Sequence, residues 1–239
     1  MIPKWPTPPS VFSYCSPRWG GNSPPPYDTY NMALHVDDDP ICVAQNRQHL
    51  KHALSWSQEA AWLEQTHSTR CILLESTQDR DADAMVTRQL HQPLAILTAD
   101  CLPILLCDNN GTEIAAIHAG WKGLVHGIIE NTLQTMESAP STLLAWIGPA
   151  ICKHCYVTGA EVRDIFLKNY PDSHAYFTPY LHGYLADLAG IARMILRSLG
   201  ISGIYFSNIC TYEDLDYFSY RRQTQTGRFA SCIWLGTAK

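Results

Sequence analysis

Three residues of metal-binding type stand at the ends of short apolar runs: His67 in EQTHS, Cys101 in TADCLP and His118 in IHAGW. Two imidazoles and one thiolate make a zinc donor set. Three protein ligands leave a fourth position open to water or substrate, as in catalytic zinc, whereas structural zinc takes four. The gaps between the three residues match no short zinc motif, so residue type and spacing leave open the alternative of core histidines and an inert buried thiol. A second cluster, Cys152-Lys153-His154-Cys155, contains a C-x-x-C that suits zinc or a redox pair. A zinc site there needs another half, and Cys210 and Cys232 have no paired neighbours in the sequence. The H-x-E with P-C-x-x-C pattern of zinc deaminases is absent, as are a Walker loop and a dinucleotide fingerprint.

The elements that must position these residues are short buried strands. Pro93 to Thr98 and Pro103 to Cys107 are apolar and bounded by turn residues, and Ala99-Asp100-Cys101 is a polar break between them. Asn109-Asn110-Gly111 predicts a hairpin turn, with Glu113 to His118 as the returning strand. After Ala119-Gly120-Trp121-Lys122-Gly123, apolar residues at Leu124, Ile128, Ile129, Leu133 and Met136 predict one helix, whose positive end would lie beside His118. Trp62-Leu63 and Cys71 to Leu74 read as strands flanking Gln65-Thr66-His67. A helix is expected from Pro40 to Leu54, with Pro at its start. Leu143 to Ile147, Gly203 to Ile209 and Arg228 to Leu235 read as strands, and Glu161 to Tyr170 and Leu185 to Leu199 as helices. Trp19 to Tyr27, WGGNSPPPY, is a loop of functional length.

Composition removes several function classes. Of 239 residues, 46% are hydrophobic and 16% charged, which leaves ample core and excludes disorder, a coiled coil and a collagen-like chain. With 17 Lys and Arg against 22 Asp and Glu, the net charge is -5 and no basic block stands out, so a nucleic-acid partner is not expected. The longest apolar runs are far shorter than the roughly 20 residues of a membrane span. MIPKWPTPPS has no apolar signal core, and nine scattered cysteines read as thiols, so a cytoplasmic protein is expected.

The run LTADCLPILLCDNNGTEIAAIHAGWKGLVHGIIENTL, with WLEQTHS, AWIGPAI and SYRRQTQTGRFASCIWL, closely resembles the YfiH-type family, also known as laccase-domain or polyphenol oxidase proteins. The likeness runs from WPTPPSV through the final strand. It implies a single α/β domain over residues 1–239, layered α/β/β/α with mixed sheets and related in fold to the catalytic domain of deamidating toxins. It also implies one metal site on His67, Cys101 and His118, with Zn2+ expected and copper the alternative.

The implied activity is phosphorolysis of adenosine, inosine, guanosine and methylthioadenosine, with hydrolytic deamination of adenosine. Copper-dependent phenol oxidation and zinc amidase editing of cell-wall precursors are the other readings. Ten scattered histidines without an H-x-H pair argue against multicopper chemistry. Partners would be a small nucleoside and phosphate, in a monomer or weak dimer. Within this frame Asp100 is expected to move a proton or orient a ligand. Arg18 and Arg47 are the expected phosphate cations, with Lys122 a third. Trp121 or Tyr156 would stack on a purine, and Gln65 would bond substrate or orient His67.

Two departures from the family pattern stand out. GPAICKHCYVTG replaces a Gly-Pro by Cys152-Lys153, altering a pocket wall or a second metal site. Arg221-Arg222-Gln223 stands where R-R-D is usual, so one carboxylate is missing.

Overall fold

The structure is a computed structural model and describes residues 1–237. Its elements run β1 (Val11–Cys15), α1 (Pro40–Ala53), β2 (Ala61–Trp62), β3 (Cys71–Leu73), β4 (Ala84–Thr87), β5 (Leu94–Thr98), β6 (Leu102–Asp108), β7 (Ile114–Ala119), α2 (Trp121–Val125) and α3 (Ile128–Thr135). They continue with β8 (Leu143–Ile147), β9 (Val157–Thr158), α4 (Ala160–Asn169), β10 (Phe177–Tyr180), β11 (Gly183–Ala186), α5 (Leu188–Ser198), β12 (Gly203–Phe206) and β13 (Phe229–Leu235).

Side-chain alternation along the strands decides the layering. Every residue of β6 and β7 is buried, so both faces of their sheet must be covered. Ile104 and Leu106 face α2 to α5, while Leu105 and Cys107 face a second sheet and meet Leu94, Ile96, Phe229 and Ile233. The outer face of that second sheet, including Leu97 and Cys232, packs on Leu50 of α1, Met32 and Trp56. The result is an α/β/β/α stack. The six-stranded sheet has the order β12-β8-β6-β7-β4-β3, and the four-stranded sheet β1-β13-β5-β2. A small antiparallel sheet, β10-β11-β9, stands apart from both. Both large sheets mix parallel and antiparallel pairs. Each fully buried Leu or Ile in these layers contributes about 1.5–3 kcal/mol.

Several expectations need correction. The helix expected through Met136 is two, because Gly127 at φ +96° breaks it after only five residues of α2. The helix expected from Leu185 starts after Asp187, which caps Gly190 N at 2.8 Å, and Leu185-Ala186 instead close β11. The strand expected to Ile209 ends at Phe206.

The Trp19–Tyr27 segment is a loop pinned at several points. The Asn46 amide donates to Ser23 Oγ at 2.9 Å and Asn31 O at 2.9 Å, and its oxygen accepts from Asn22 N at 2.8 Å. A buried asparagine on α1 therefore sets the loop's course. No described helix is long and apolar enough to cross a membrane. All nine cysteines are free.

Candidate metal centre and its cleft

The polar break at Ala99-Asp100-Cys101 is the point where the chain leaves the four-stranded sheet at the end of β5 and enters the six-stranded sheet at β6. Asp100 takes φ +95° to make this corner. His118 lies on β7 opposite Pro103 of β6, one residue past Leu102, so the sheet register sets it beside Cys101. His67 comes from the loop between β2 and β3 and also has a positive φ, +61°.

One carboxylate that the sequence reading did not single out organises both histidines. Asp83, fully buried just before β4, accepts from Thr66 N, His67 N and Ser68 N at 3.2, 3.1 and 2.6 Å, and from Ser68 Oγ at 2.7 Å. It also accepts from His118 Nδ1 at 2.7 Å. A carboxylate only accepts, so Nδ1 bears the proton and Nε2 is left as the donor atom for a metal. His67 stacks edge-on against His118 with ring centres 4.7 Å apart, and its Nε2 lies 3.6 Å from Cys101 Sγ. One donor atom from each of the three residues falls within 4.8 Å of the others. A Cβ on Gly120 would lie 2.6 Å from His67 Cδ2 and 3.1 Å from Cys101 Sγ, so only glycine leaves the pair its room.

The electrostatics suit a metal donor set. Burial opposes ionisation of Cys101, but His118 and His67 outweigh it and bring the thiol down to about 6. Burial likewise disfavours charge on His118, yet Cys101 and Asp83 outweigh it and raise the imidazole to about 9. Burial also works against the Asp83 carboxylate, and its bonds to His118 and Ser68 hold it below the usual range. A thiolate, two oriented imidazoles and a buried carboxylate behind one of them fit a divalent zinc-type ion, which would displace the Nε2 proton of His118 on binding, with one side open to the cleft.

That cleft has a volume of about 470 Å³, within the small-molecule range. Trp121, Tyr156 and Tyr220 supply aromatic walls, Arg221 and Arg228 supply cations, and His35 completes the rim. Arg228 lies 5.7 Å over the Tyr220 ring and donates to Thr226 O, while Arg221 lies 5.0 Å over Tyr156 and donates to Val157 O. Desolvation, then Arg228 and Arg47, lower the His35 imidazole. Thr98 also lines the cleft, and its buried Oγ1 has no hydrogen-bond partner.

The residues singled out from the sequence divide sharply. His67, Cys101, His118, Asp100, Gln65, Trp121 and Tyr156 all line this cleft. Arg18, Arg47 and Lys122 are not among its lining residues. Arg18 pairs with Asp28 at 2.9 Å, Arg47 donates to Met32 O at 2.7 Å and stacks on Trp62, and Lys122 is exposed. Gln65 is spent on the backbone of Leu97, donating to its carbonyl at 2.7 Å and accepting from its N–H at 2.8 Å. Both Asp100 oxygens are engaged, accepting from Thr211 Oγ1 at 2.7 Å and Arg221 N at 2.6 Å. Sequence reasoning missed Asp83, His35, Thr98, Tyr220 and Arg228, and met Arg221 only as a neighbour of an absent carboxylate. An acid directly before the apolar run Ala84 to Val86 was the available signal for Asp83.

The chain is similar to known proteins along nearly its whole length. Proteins from Escherichia coli K12 and Shigella flexneri, each named purine nucleoside phosphorylase YfiH, are 41% identical over 98% of both chains. A crystal structure of a Neisseria meningitidis protein superposes with a TM-score of 0.95 at 38% identity, covering 99% of each chain. Residues 12–236 match the family described as multi-copper polyphenol oxidoreductase laccase, and the chain belongs to that family, in which the YfiH proteins fall.

Proposed function

We propose that this chain, as one catalytic unit, is a zinc-dependent purine nucleoside enzyme that cleaves adenosine, inosine, guanosine and methylthioadenosine with phosphate and hydrolytically deaminates adenosine. The observation that bears most weight is the juxtaposition, in one cleft, of a three-donor metal set, aromatic walls and two arginines. The activity named for the relatives at 41% identity supports the same reading.

Phosphorolysis forms a bond from phosphate oxygen to the anomeric carbon and breaks the glycosidic bond, so the purine leaves with the electron pair and takes up a proton. The attacking dianion needs fixed positive charge, and Arg221 and Arg228, which line the cleft, would hold it, in the role first expected of Arg18 and Arg47. Tyr156 and Trp121 offer faces for the purine. His35, its charge disfavoured, presents a neutral imidazole at the rim. Asp100, with both oxygens engaged, acts as a positioning residue that fixes Cys101 and the Arg221 backbone. A bound zinc ion would supply Lewis acidity and lower the pKa of water towards 7, the chemistry that deamination at carbon 6 requires.

The test is product analysis of adenosine incubated with and without phosphate, alongside metal analysis of the purified protein, since two His and one Cys also suit copper. Adenine with ribose 1-phosphate is expected only when phosphate is present, and inosine in both cases. If neither product forms faster than with Cys101→Ala protein, the reading fails.

A further inference from the structure

We propose that Cys152, Cys155, Cys210 and Glu213 form a second metal site, a four-donor structural zinc clip separate from the cleft centre. The half that the C-x-x-C lacks in the sequence is supplied by the fold. One donor atom from each of the four residues lies within 4.8 Å of all the others.

They come from two turns of matching build. Cys155 N and Tyr156 N both donate to Cys152 O, at 3.0 and 3.1 Å, which curls the first turn and leaves the two sulfurs 3.6 Å apart. Glu213 N and Asp214 N both donate to Cys210 O, at 3.2 and 2.9 Å, curling Cys210-Thr211-Tyr212-Glu213 in the same way. Each turn thus offers its first and fourth side chains together. The turns are joined by a parallel bridge between Ala150 and Cys210, with Thr211 N donating to Ala150 O at 3.0 Å. Cys152 N donates to Cys210 Sγ at 3.3 Å, and Cys152 Sγ stands 4.0 Å from Glu213 Oε2.

The donor chemistry selects the ion. Three thiolates and a carboxylate favour zinc over magnesium or calcium, and four protein ligands close the coordination shell, as structural zinc requires. Ion-free, the four acids would crowd like charges if ionised. Binding of Zn2+ releases the thiol protons to solvent and replaces that repulsion by coordination. A Cys152–Cys155 disulfide would use two of the four groups and leave the convergence of Cys210 and Glu213 without a purpose.

The clip also has a mechanical role. Ile151 N donates to Asp100 O at 3.0 Å and Thr211 Oγ1 bonds the Asp100 carboxylate, so the two turns grip the corner that presents Cys101. Ile151 and Tyr156, flanking the first turn, line the cleft itself.

The experiment counts zinc in reduced, full-length protein that has been stripped with chelator, reloaded and desalted, with no nucleoside present. The Cys152→Ser/Cys155→Ser protein is expected to lose one ion per chain relative to wild type, whatever the cleft site holds, while Cys101→Ala retains that ion. After Co2+ loading, the sulfur-to-cobalt charge-transfer absorption should largely vanish in the first variant and largely persist in the second. Glu213→Gln changes an exposed side chain, so the chain stays folded, and chelator competition should show a zinc affinity at this site weakened by about tenfold. An unchanged zinc count in the double-serine protein overturns the proposal. So does unchanged affinity in Glu213→Gln, or a wild-type protein that binds no clip ion and instead oxidises in air to a Cys152–Cys155 disulfide.

Discussion

His67, Cys101 and His118 meet where the chain passes between two sheets, with a buried carboxylate behind them. Cys152, Cys155, Cys210 and Glu213 meet on two curled turns, with backbone N–H groups behind them. The first group has three donors, two of them imidazoles, and an open side facing a cleft. The second has four donors, no imidazole, and an exposed glutamate as its outermost member. The number of donors and the side left open distinguish a place for chemistry from a place for bracing, more than the presence of cysteine does.

Cys101→Ala or His118→Ala is the hardest blow to that contrast, with nucleoside turnover expected to fall about 10³-fold or more while circular dichroism stays native. Cys152→Ser removes no cleft donor and only loosens the brace behind Cys101, so it is expected to cost far less. Equal losses in the two clusters would erase the distinction.

Asp83→Asn tests the support behind the first group. Metal affinity and turnover are expected to drop about 10–100-fold in metal titration and steady-state assays. Thermal or urea unfolding should reveal a stability loss of about 3 kcal/mol, because buried His118 loses its charged partner.

A milder change is Arg228→Met, expected to raise the KM for phosphate about tenfold with less effect on nucleoside binding. An unchanged KM would move the anion site elsewhere.

The smallest effect is on the pH dependence of stability in metal-stripped protein. His118 rises from 6.5 to about 9 on folding, so its contribution is full below 6.5 and lost as pH climbs through about 9. Cys101 falls from 9.0 to about 6, so its contribution is full above 9.0 and lost as pH drops through about 6. Between about pH 6.5 and 9 the two contributions change in opposite directions and nearly cancel, so their sum is close to flat. Melting curves should therefore be nearly flat across that range, and the difference in ultraviolet thiolate absorbance between wild type and Cys101→Ser should titrate with a midpoint of about 6; a midpoint near 9.0 would disprove the thiolate–imidazolium pair.

The three cleft donors were candidates by residue type at the ends of apolar runs, and the family resemblance singled them out as one set. Asp83 was not, since Asp79-Arg80-Asp81 before it looks like a solvated turn and β4 is only four residues long. Arg18 and Arg47 read as free cations, yet each is claimed by local partners, Asp28 and Met32 O, which spacing cannot reveal. Arg228 was legible only as the start of a strand. The central strands were legible as short apolar runs and the layering followed from the family resemblance, while the break at Gly127 and strand β11 depended on a positive φ and on a cap at Asp187 that local periodicity does not encode.

Strand β13 sits between β1 and β5, pairing Val11 with Leu235 and Ala95 with Cys232. During synthesis, β1 and β5 therefore wait without their central partner until residue 235 has left the ribosome, an interval of roughly 10–40 s for β1 at ordinary elongation rates. Their apolar faces and unpaired edges are open for that time, so this half of the molecule is the part most dependent on chaperone shelter. Arg221 and Arg228 arrive in the same late segment, and the cleft cannot be complete before the last strand is home.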